Sequence, residues 1–444
     1  MHTAPPQDIG LLLDRGNWTA YQRRLVLLTA LTIVFDGIDN QLIGITVPTM
    51  MLEWDVPRSA FAPVVSLGYF GMMIGGAAAG VIGDRYGRRG ALLGSVALFG
   101  AMTMAASLAS EVATLGVLRF FTGLGLGGAI PNAAALAAEY VPARQRPLAV
   151  TLAIVCMPLG GTIAGLIAIP ALPALGWRAL YIAGGLVPMA AALALRTVMP
   201  ESPRYLARRP ARRVELAATL ARMGHAVPEG TTFVDRADSA PARAPMAALF
   251  QPGLRRDTLA LWLAYFSCLL AVYLAFSWVP SLLTGAGFSS SVASTGITAF
   301  NLGGVVGSLA GGVAIARFGS RASMLTMTAL AIAGAAIMSR MDLSAAAAVV
   351  PIIALLTVTG AMINGVQATM YALAAHVYPA AIRATGVGSA VSFGRSGAVL
   401  SGFAGAWALE WRGSTSFFGA IAVSMAVCWI ALAAVRRHIG VVRD

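Results

Sequence analysis

Asp36-Gly37-Ile38-Asp39 stands in the middle of a stretch, 25–47, whose other residues are almost all compatible with lipid. About 20 apolar residues cross a bilayer, so the two carboxylates fall near the centre of a spanning helix, at a cost of roughly 2.5–3.5 kcal/mol each. At i and i+3 they share one helix face, and Asn40 extends it. That face must look into a bundle or a watery cavity, where ionisable groups move protons, ions or substrates; the bland alternative is a structural polar patch bonded to neighbouring helices. Two carboxylates this close resist being ionised together, which suits one of them to carry a proton. Arginines inside apolar runs supply the opposite charge. Arg119, with Thr122 and Gly123 one turn on, needs an acidic or anionic partner: Asp36 or Asp39 in a static or switching pair, or the carboxylate of a substrate. Arg395, flanked by Ser392 and Ser396, can hold a carboxylate by two parallel hydrogen bonds or pair with another helix. Asp36, Asp39, Arg119 and Glu139 are the candidates for proton coupling, although Glu139, near Arg144 and Arg146, also reads as part of a surface salt-bridge cluster.

The rest of the chain is built to hold such groups in a membrane. Of 444 residues 58% are hydrophobic and 11% charged, where a soluble domain has about 25% charged. The net charge of +13 arises without a single lysine; all 31 basic residues are arginines. We place 25 of them in one set of connections, four in the other (Arg58, Arg178, Arg340, Arg412) and two inside helices. That is the positive-inside pattern, so the charge reports topology and not a nucleic-acid surface. It predicts a multi-pass protein of the cell (inner) membrane with both termini cytoplasmic. The first run follows Arg23-Arg24 and reads as an uncleaved anchor. Cys156, Cys268 and Cys428 lie in separate apolar runs, a spacing that offers neither a disulfide framework nor a metal site. No metal or cofactor is expected, and a monomer is expected.

Twelve apolar runs are counted, at 25–47, 61–82, 90–109, 112–137, 147–170 and 177–198, then 257–280, 293–315, 322–340, 345–372, 384–407 and 414–435. The predicted fold is an all-α integral membrane protein of twelve transmembrane helices in two pseudo-symmetric six-helix halves. Its parts are a cytoplasmic N-terminal segment 1–24, a first half 25–198, an Arg- and Pro-rich cytoplasmic linker 199–256, a second half 257–436 and a tail 437–444. The halves look like copies. Gly80 to Arg89 after the second run aligns with Gly312 to Arg321 after the eighth, Arg85 on Arg317 and Gly87 on Gly319, with Ala316 where Asp84 stands. Tyr140-Val141-Pro142 with Arg146 is echoed by Tyr378-Pro379 with Arg383. A parallel duplication of this kind places a transport site between the halves near the midplane.

These stretches resemble the major facilitator superfamily. Gly80 to Arg89 is similar to its loop pattern G-x-x-x-D-R-x-G-R-R, and Pro200-Glu201-Ser202-Pro203-Arg204-Tyr205-Leu206 resembles the P-E-S-P-R-W-L of several porter branches. Within the superfamily the chain is most similar to the aromatic acid:proton symporters, the permeases for 4-hydroxybenzoate, protocatechuate and benzoate. Asp36-Gly37-Ile38-Asp39 matches their D-G-x-D, the stretch from Arg119 through Gly123, Gly125, Gly127 and Gly128 to Asn132 matches their fourth helix, and Tyr378 through Gly388 with Gly394-Arg395-Ser396-Gly397 matches the start of their eleventh. The resemblance implies proton-coupled import of an aromatic monocarboxylate by alternating access. It also implies a conformational gate at Gly80, Asp84, Arg85, Gly87, Arg88 and Arg89, with simple anchoring by the arginines as the alternative. An aromatic acid needs flat walls and a few polar contacts, so Tyr265, Tyr273, Asn301, Asn364 and Gln367 join Arg395, Arg119 and Asn40 as substrate candidates.

An enzyme is disfavoured: there is no H-E-x-x-H and no G-x-S-x-G, and His2, His225 and His438 fall outside the runs. The fourth-run glycines follow no strand, so they are close-packing residues and not a nucleotide loop. Transport of another organic acid or a sugar would leave the same superfamily motifs. A membrane sensor that binds an aromatic acid without moving it is the alternative from another class.

Overall fold

Thr19 starts the first membrane helix with a reciprocal cap: its hydroxyl accepts from Gln22 N and its own N–H donates to Gln22 Oε1 at 2.8 Å, satisfying amides that the helix leaves free. α1 (Ala20–Trp54) therefore begins before the apolar run and continues through Pro48, until Asp55 turns left-handed (φ 51°). The structure is a computed structural model that describes residues 7–14, 16–225, 231–235, 246–344, 348–379 and 382–441, without the side chains at 147, 148, 150, 151, 153 and 154. Parts of the expected N-terminal segment (1–6, 15), linker (226–230, 236–245), tenth run (345–347) and tail (442–444), and Ala380-Ala381 of the second-half echo, lie outside the described residues.

After α1 come α2 (Ala62–Tyr86), α3 (Arg88–Ala106), α4 (Val112–Tyr140), α5 (Arg146–Val198), α6 (Arg255–Gly285), α7 (Ser290–Phe318), α8 (Ser320–Met338), α9 (Val349–Val377), α10 (Arg383–Arg412) and α11 (Ser414–Ala434). Ten of these eleven are long and apolar enough to cross a membrane. The count reaches twelve crossings because α5 carries the fifth and sixth runs, bent where Gly176 leaves helical geometry (φ 75°, ψ 174°). α10, the expected run 384–407, is the least apolar: Arg383, Arg395 and its glycines and serines dilute its apolar character, and α2, α6 and α11 pack against it.

Each half repeats one packing scheme. α2 lies along α4, and α7 along α9; α1 packs on α5 as α6 packs on α10. α2 and α4 touch backbone to backbone, because a Cβ at Gly71 or Gly75 would meet the Phe120 and Leu124 carbonyls, and one at Gly127 would meet Met72. Small residues allow this approach inside a membrane, where van der Waals contact replaces hydrophobic drive. The repeated turns also match. Gly87 (φ 103°) ends α2 and Gly319 (φ 77°) ends α7, a conformation glycine adopts without penalty. Glu201 accepts from Arg89 N after the first turn, while Ile439 O accepts from Ser320 N at 2.9 Å after the second. The segment following each half thus braces its own turn.

The halves meet through α5 against α7 and α2 against α10. Arg58 donates to Ser281 Oγ (2.9 Å) and O (3.0 Å), Ser66 to Val399 O (2.8 Å), Gln41 to Phe276 O (3.0 Å) and Asn301 to Gln41 (2.9 Å), while the Tyr69 and Ser277 hydroxyls share a bond at 2.9 Å. All of these lie at mid-depth or toward the end bearing Trp54 and Gly285. Among the described residues no hydrogen bond or ion pair joins the halves at the end bearing the Gly87 and Gly319 turns. Counted over the described residues, such bonds seal the Trp54 end and not the other.

Candidate functional site

Gly37 lets α1 press on the backbone of Met157 and Gly160 in α5, which fixes the rotation of the polar face. Asp39 then meets two partners: Arg119 NH1 on α4 donates to its Oδ2 at 3.0 Å, and the Thr103 hydroxyl on α3 donates to Oδ1. All three side chains are buried. Asp36, one turn earlier, is also completely buried, yet neither carboxylate oxygen has a hydrogen-bond partner among the described residues, and the same holds for the Asn40 amide. The charges that act on Asp36 are Asp39 and Arg395. An unpaired buried carboxylate is tolerable only when neutral or hydrated, so the two aspartates occupy different chemical situations.

Arg395 projects from α10 toward the first half, and its NH1 donates to Met72 O of α2 at 2.6 Å. No other hydrogen bond to its guanidinium exists among the described residues, which leaves a fork able to take a carboxylate. The Tyr273 hydroxyl contacts the Met72 sulfur at 3.9 Å, and the Tyr273 ring lies 4.4 Å from Tyr69 and 5.8 Å from Phe276. Beside this group a cavity of about 40 Å³ opens between the halves, lined by Ile33, Met157, Phe276, Asn364, Gln367 and Tyr371 among others. That is room for a few waters at most, whereas pockets for drug-sized ligands occupy roughly 300–1,000 Å³.

The structure thus brings together Asp36, Asp39, Asn40, Arg119, Arg395 and Tyr273 at mid-depth, with Asn364 and Gln367 on the cavity wall. Asn301 is placed otherwise: it binds Gln41 in the seam between halves. Tyr265 packs edge-on to Tyr371 (5.7 Å), its hydroxyl buried without a partner among the described residues. Sequence reasoning passed over Thr103, Gln41, Tyr69 and Met72. Gln41 continues the polar stripe after Asn40 and was detectable; a threonine or methionine in an apolar run carries no such signal.

At the unsealed end, Gly80, Asp84 and Arg85 occupy the last turns of α2, Gly87 the turn, and Arg88 and Arg89 the start of α3. Arg88 pairs with Asp84 at 3.1 Å and with Glu139 at 2.8 Å, and the Ser202 hydroxyl donates to Glu139. Glu139 therefore answers Arg88 rather than the expected Arg144 or Arg146; Arg146 instead reaches Asp14. Glu201 accepts from both Arg89 N and Ser202 N at 2.9 Å, and Arg85 O accepts from Arg209 at 3.2 Å. These bonds lie within the first half and the linker. Among the described residues no group of three His, Cys, Asp or Glu side chains can hold a metal.

A model of the Major Facilitator Superfamily matches residues 29–294 and 261–440. The chain belongs to this superfamily. It is 36% identical to the gallate transporter of Pseudomonas putida, over 90% of this chain and 88% of that one. It is 35% identical to the 4-hydroxybenzoate transporter PcaK of Pseudomonas putida, over 90% and 89%. A partially occluded inward open conformation of the xylose transporter XylE from E. coli superposes with TM-score 0.75 at 17% identity, over 93% of this chain and 97% of that one, a likeness of fold alone. As a superfamily member this protein is a multi-pass membrane transporter and not an enzyme, and both of these relatives are named as transporters of aromatic acids.

Proposed function

We propose that this transporter imports an aromatic monocarboxylate, such as a hydroxybenzoate, together with protons across the cytoplasmic membrane by alternating access. The observation that carries the reading is the asymmetric carboxylate pair: Asp39 is neutralised by Arg119, Asp36 has no hydrogen-bond partner among the described residues, and Arg395 faces them from the other half with free donors. The arginine-rich linker and both termini lie on the cytoplasmic side, so the sealed end is external and the conformation faces inward. In the outward state the Arg58, Ser66 and Tyr69 bonds part, and the substrate carboxylate docks on Arg395 with its ring against Tyr273 and Phe276. A proton on Asp36 removes the charge that would otherwise be enclosed without a counterion, and the halves rock. The Asp84–Arg88–Glu139 cluster braces the cytoplasmic ends during this exchange. The protein works as a monomer, with no cofactor and no nucleic-acid partner.

The deciding measurement is uptake of radiolabelled 4-hydroxybenzoate into proteoliposomes with and without an inward proton gradient, competed by benzoates, sugars and dicarboxylates. Gradient-driven accumulation competed by aromatic acids alone is expected. Uptake indifferent to the gradient refutes the coupling, competition by a sugar or dicarboxylate refutes the substrate class, and binding without accumulation identifies a sensor.

A further inference from the structure

A groove of about 640 Å³ runs between α3 and the second limb of α5, on the flank of the first half and away from the transport site. Its walls are Leu93, Ala97, Met189 and Leu193, and its floor is Gly90 and Gly94, where an added Cβ would meet nothing within 4 Å. Both helices that line it are long and apolar enough to cross a membrane, so in a bilayer the apolar part would meet hydrocarbon. Its mouth, at the linker end, carries two cations, Arg89 and Arg196. The Arg89 guanidinium donates to the Arg196 carbonyl, which brings the two residues side by side. Arg196 is exposed and its guanidinium has no ion-pair partner among the described residues. The lining includes one acid, Glu201, but it is 4% exposed and already accepts from two backbone amides.

An apolar slot in a membrane with paired arginines at its interfacial end is complementary to one ligand shape, a hydrocarbon chain below a negative headgroup. We propose that the groove is a binding site for one anionic phospholipid, its acyl chain along Leu93, Gly94 and Leu193 and its phosphate between Arg89 and Arg196. The bound lipid would bear directly on the start of α3, the same turn that Glu201 braces. The proposal is independent of which solute is carried.

The full-length protein, purified from bilayers of equal phosphatidylglycerol and phosphatidylcholine with matched chains, is examined by native mass spectrometry. One phosphatidylglycerol is expected to survive activation that strips phosphatidylcholine. Arg196→Gln, on an exposed position outside the transport machinery, should abolish that preference. Gly94→Leu, which fills the groove from a position with open space around it, should remove the retained lipid altogether. Excess inorganic phosphate should leave it bound. Equal retention of both lipids, retention by Gly94→Leu, or displacement by free phosphate would each overturn the assignment.

Discussion

Asp36 and Asp39 share a helix face, but their neighbours make them respond differently to the same substitution. Asp39→Asn leaves Arg119 buried with its charge uncompensated, a loss of about 3–5 kcal/mol of stability for a broken buried pair, and adding Arg119→Gln should recover much of it; thermal unfolding in detergent reads both. Asp36→Asn breaks no described hydrogen bond and should leave the melting transition in place. What it should lose is gradient-driven accumulation, with substrate counterflow retained; accumulation at the wild-type level would remove Asp36 from coupling. Arg395→Gln should weaken substrate binding by the worth of a charge-assisted hydrogen bond, about 1.5–3 kcal/mol, seen as a raised KM in counterflow. The carboxylate pair was legible in four residues because spacing alone puts it on one face inside an apolar run. Its division of labour was not legible, because Thr103 and Arg119 become partners of Asp39 alone only when helices distant in sequence are packed. For the same reason the partner of Glu139 was read as nearby Arg144 or Arg146, whereas packing delivers Arg88.

Among the helices, the sequence signal was strong wherever apolar runs were separated by charged turns, and ambiguous where the chain bends or carries its own polar groups. α5 holds two crossings whose break is a single glycine, and α10, counted as the apolar run 384–407, is the one whose own arginines, glycines and serines dilute that signal. The paired turns at Gly87 and Gly319 were visible as a repeat, but not what braces them, since Glu201 and Ile439 arrive from beyond the end of each half. The Gly87 turn should act on rate more than on stability. The Asp84 side chain is 44% exposed, so its ion pair with Arg88 contributes no more than about 1 kcal/mol. Asp84→Asn is therefore expected to shift the melting temperature little while lowering the turnover of uptake; unchanged turnover would reduce the element to an anchor.

At the scale of the molecule, two facts belong together. The halves are bonded at mid-depth and at the Arg58 end, with no such bond at the Gly87 end among the described residues, and the central cavity of about 40 Å³ is far too small for an aromatic acid. A transporter in this state must rearrange to admit its substrate, and the seam shows what must part: Arg58 from Ser281, Ser66 from Val399, Tyr69 from Ser277. Gln41 apart, these pairings were not legible beforehand, because the seam joins residues from opposite halves and its serines and tyrosine are ordinary in membrane helices. A ligand shifts such an equilibrium only through its differential affinity for the two states, and every 1.4 kcal/mol of it moves the ratio tenfold. Removing a charged hydrogen bond from the seam should act in the same direction. Spin labels at Tyr86 and Phe318 report the linker ends of α2 and α7, and labels at Leu52 and Val350 report the sealed end. Arg58→Gln should populate a second state in which the first pair approaches and the second pair separates, by roughly tenfold or more if the bonds it loses are worth 1.5–3 kcal/mol. A protonated medium with 4-hydroxybenzoate should populate the same state in the unaltered chain. Separation at the sealed end without approach at the other would mean that the halves open by local fraying, and the rigid rocking that couples Asp36 to the gate would have to be abandoned.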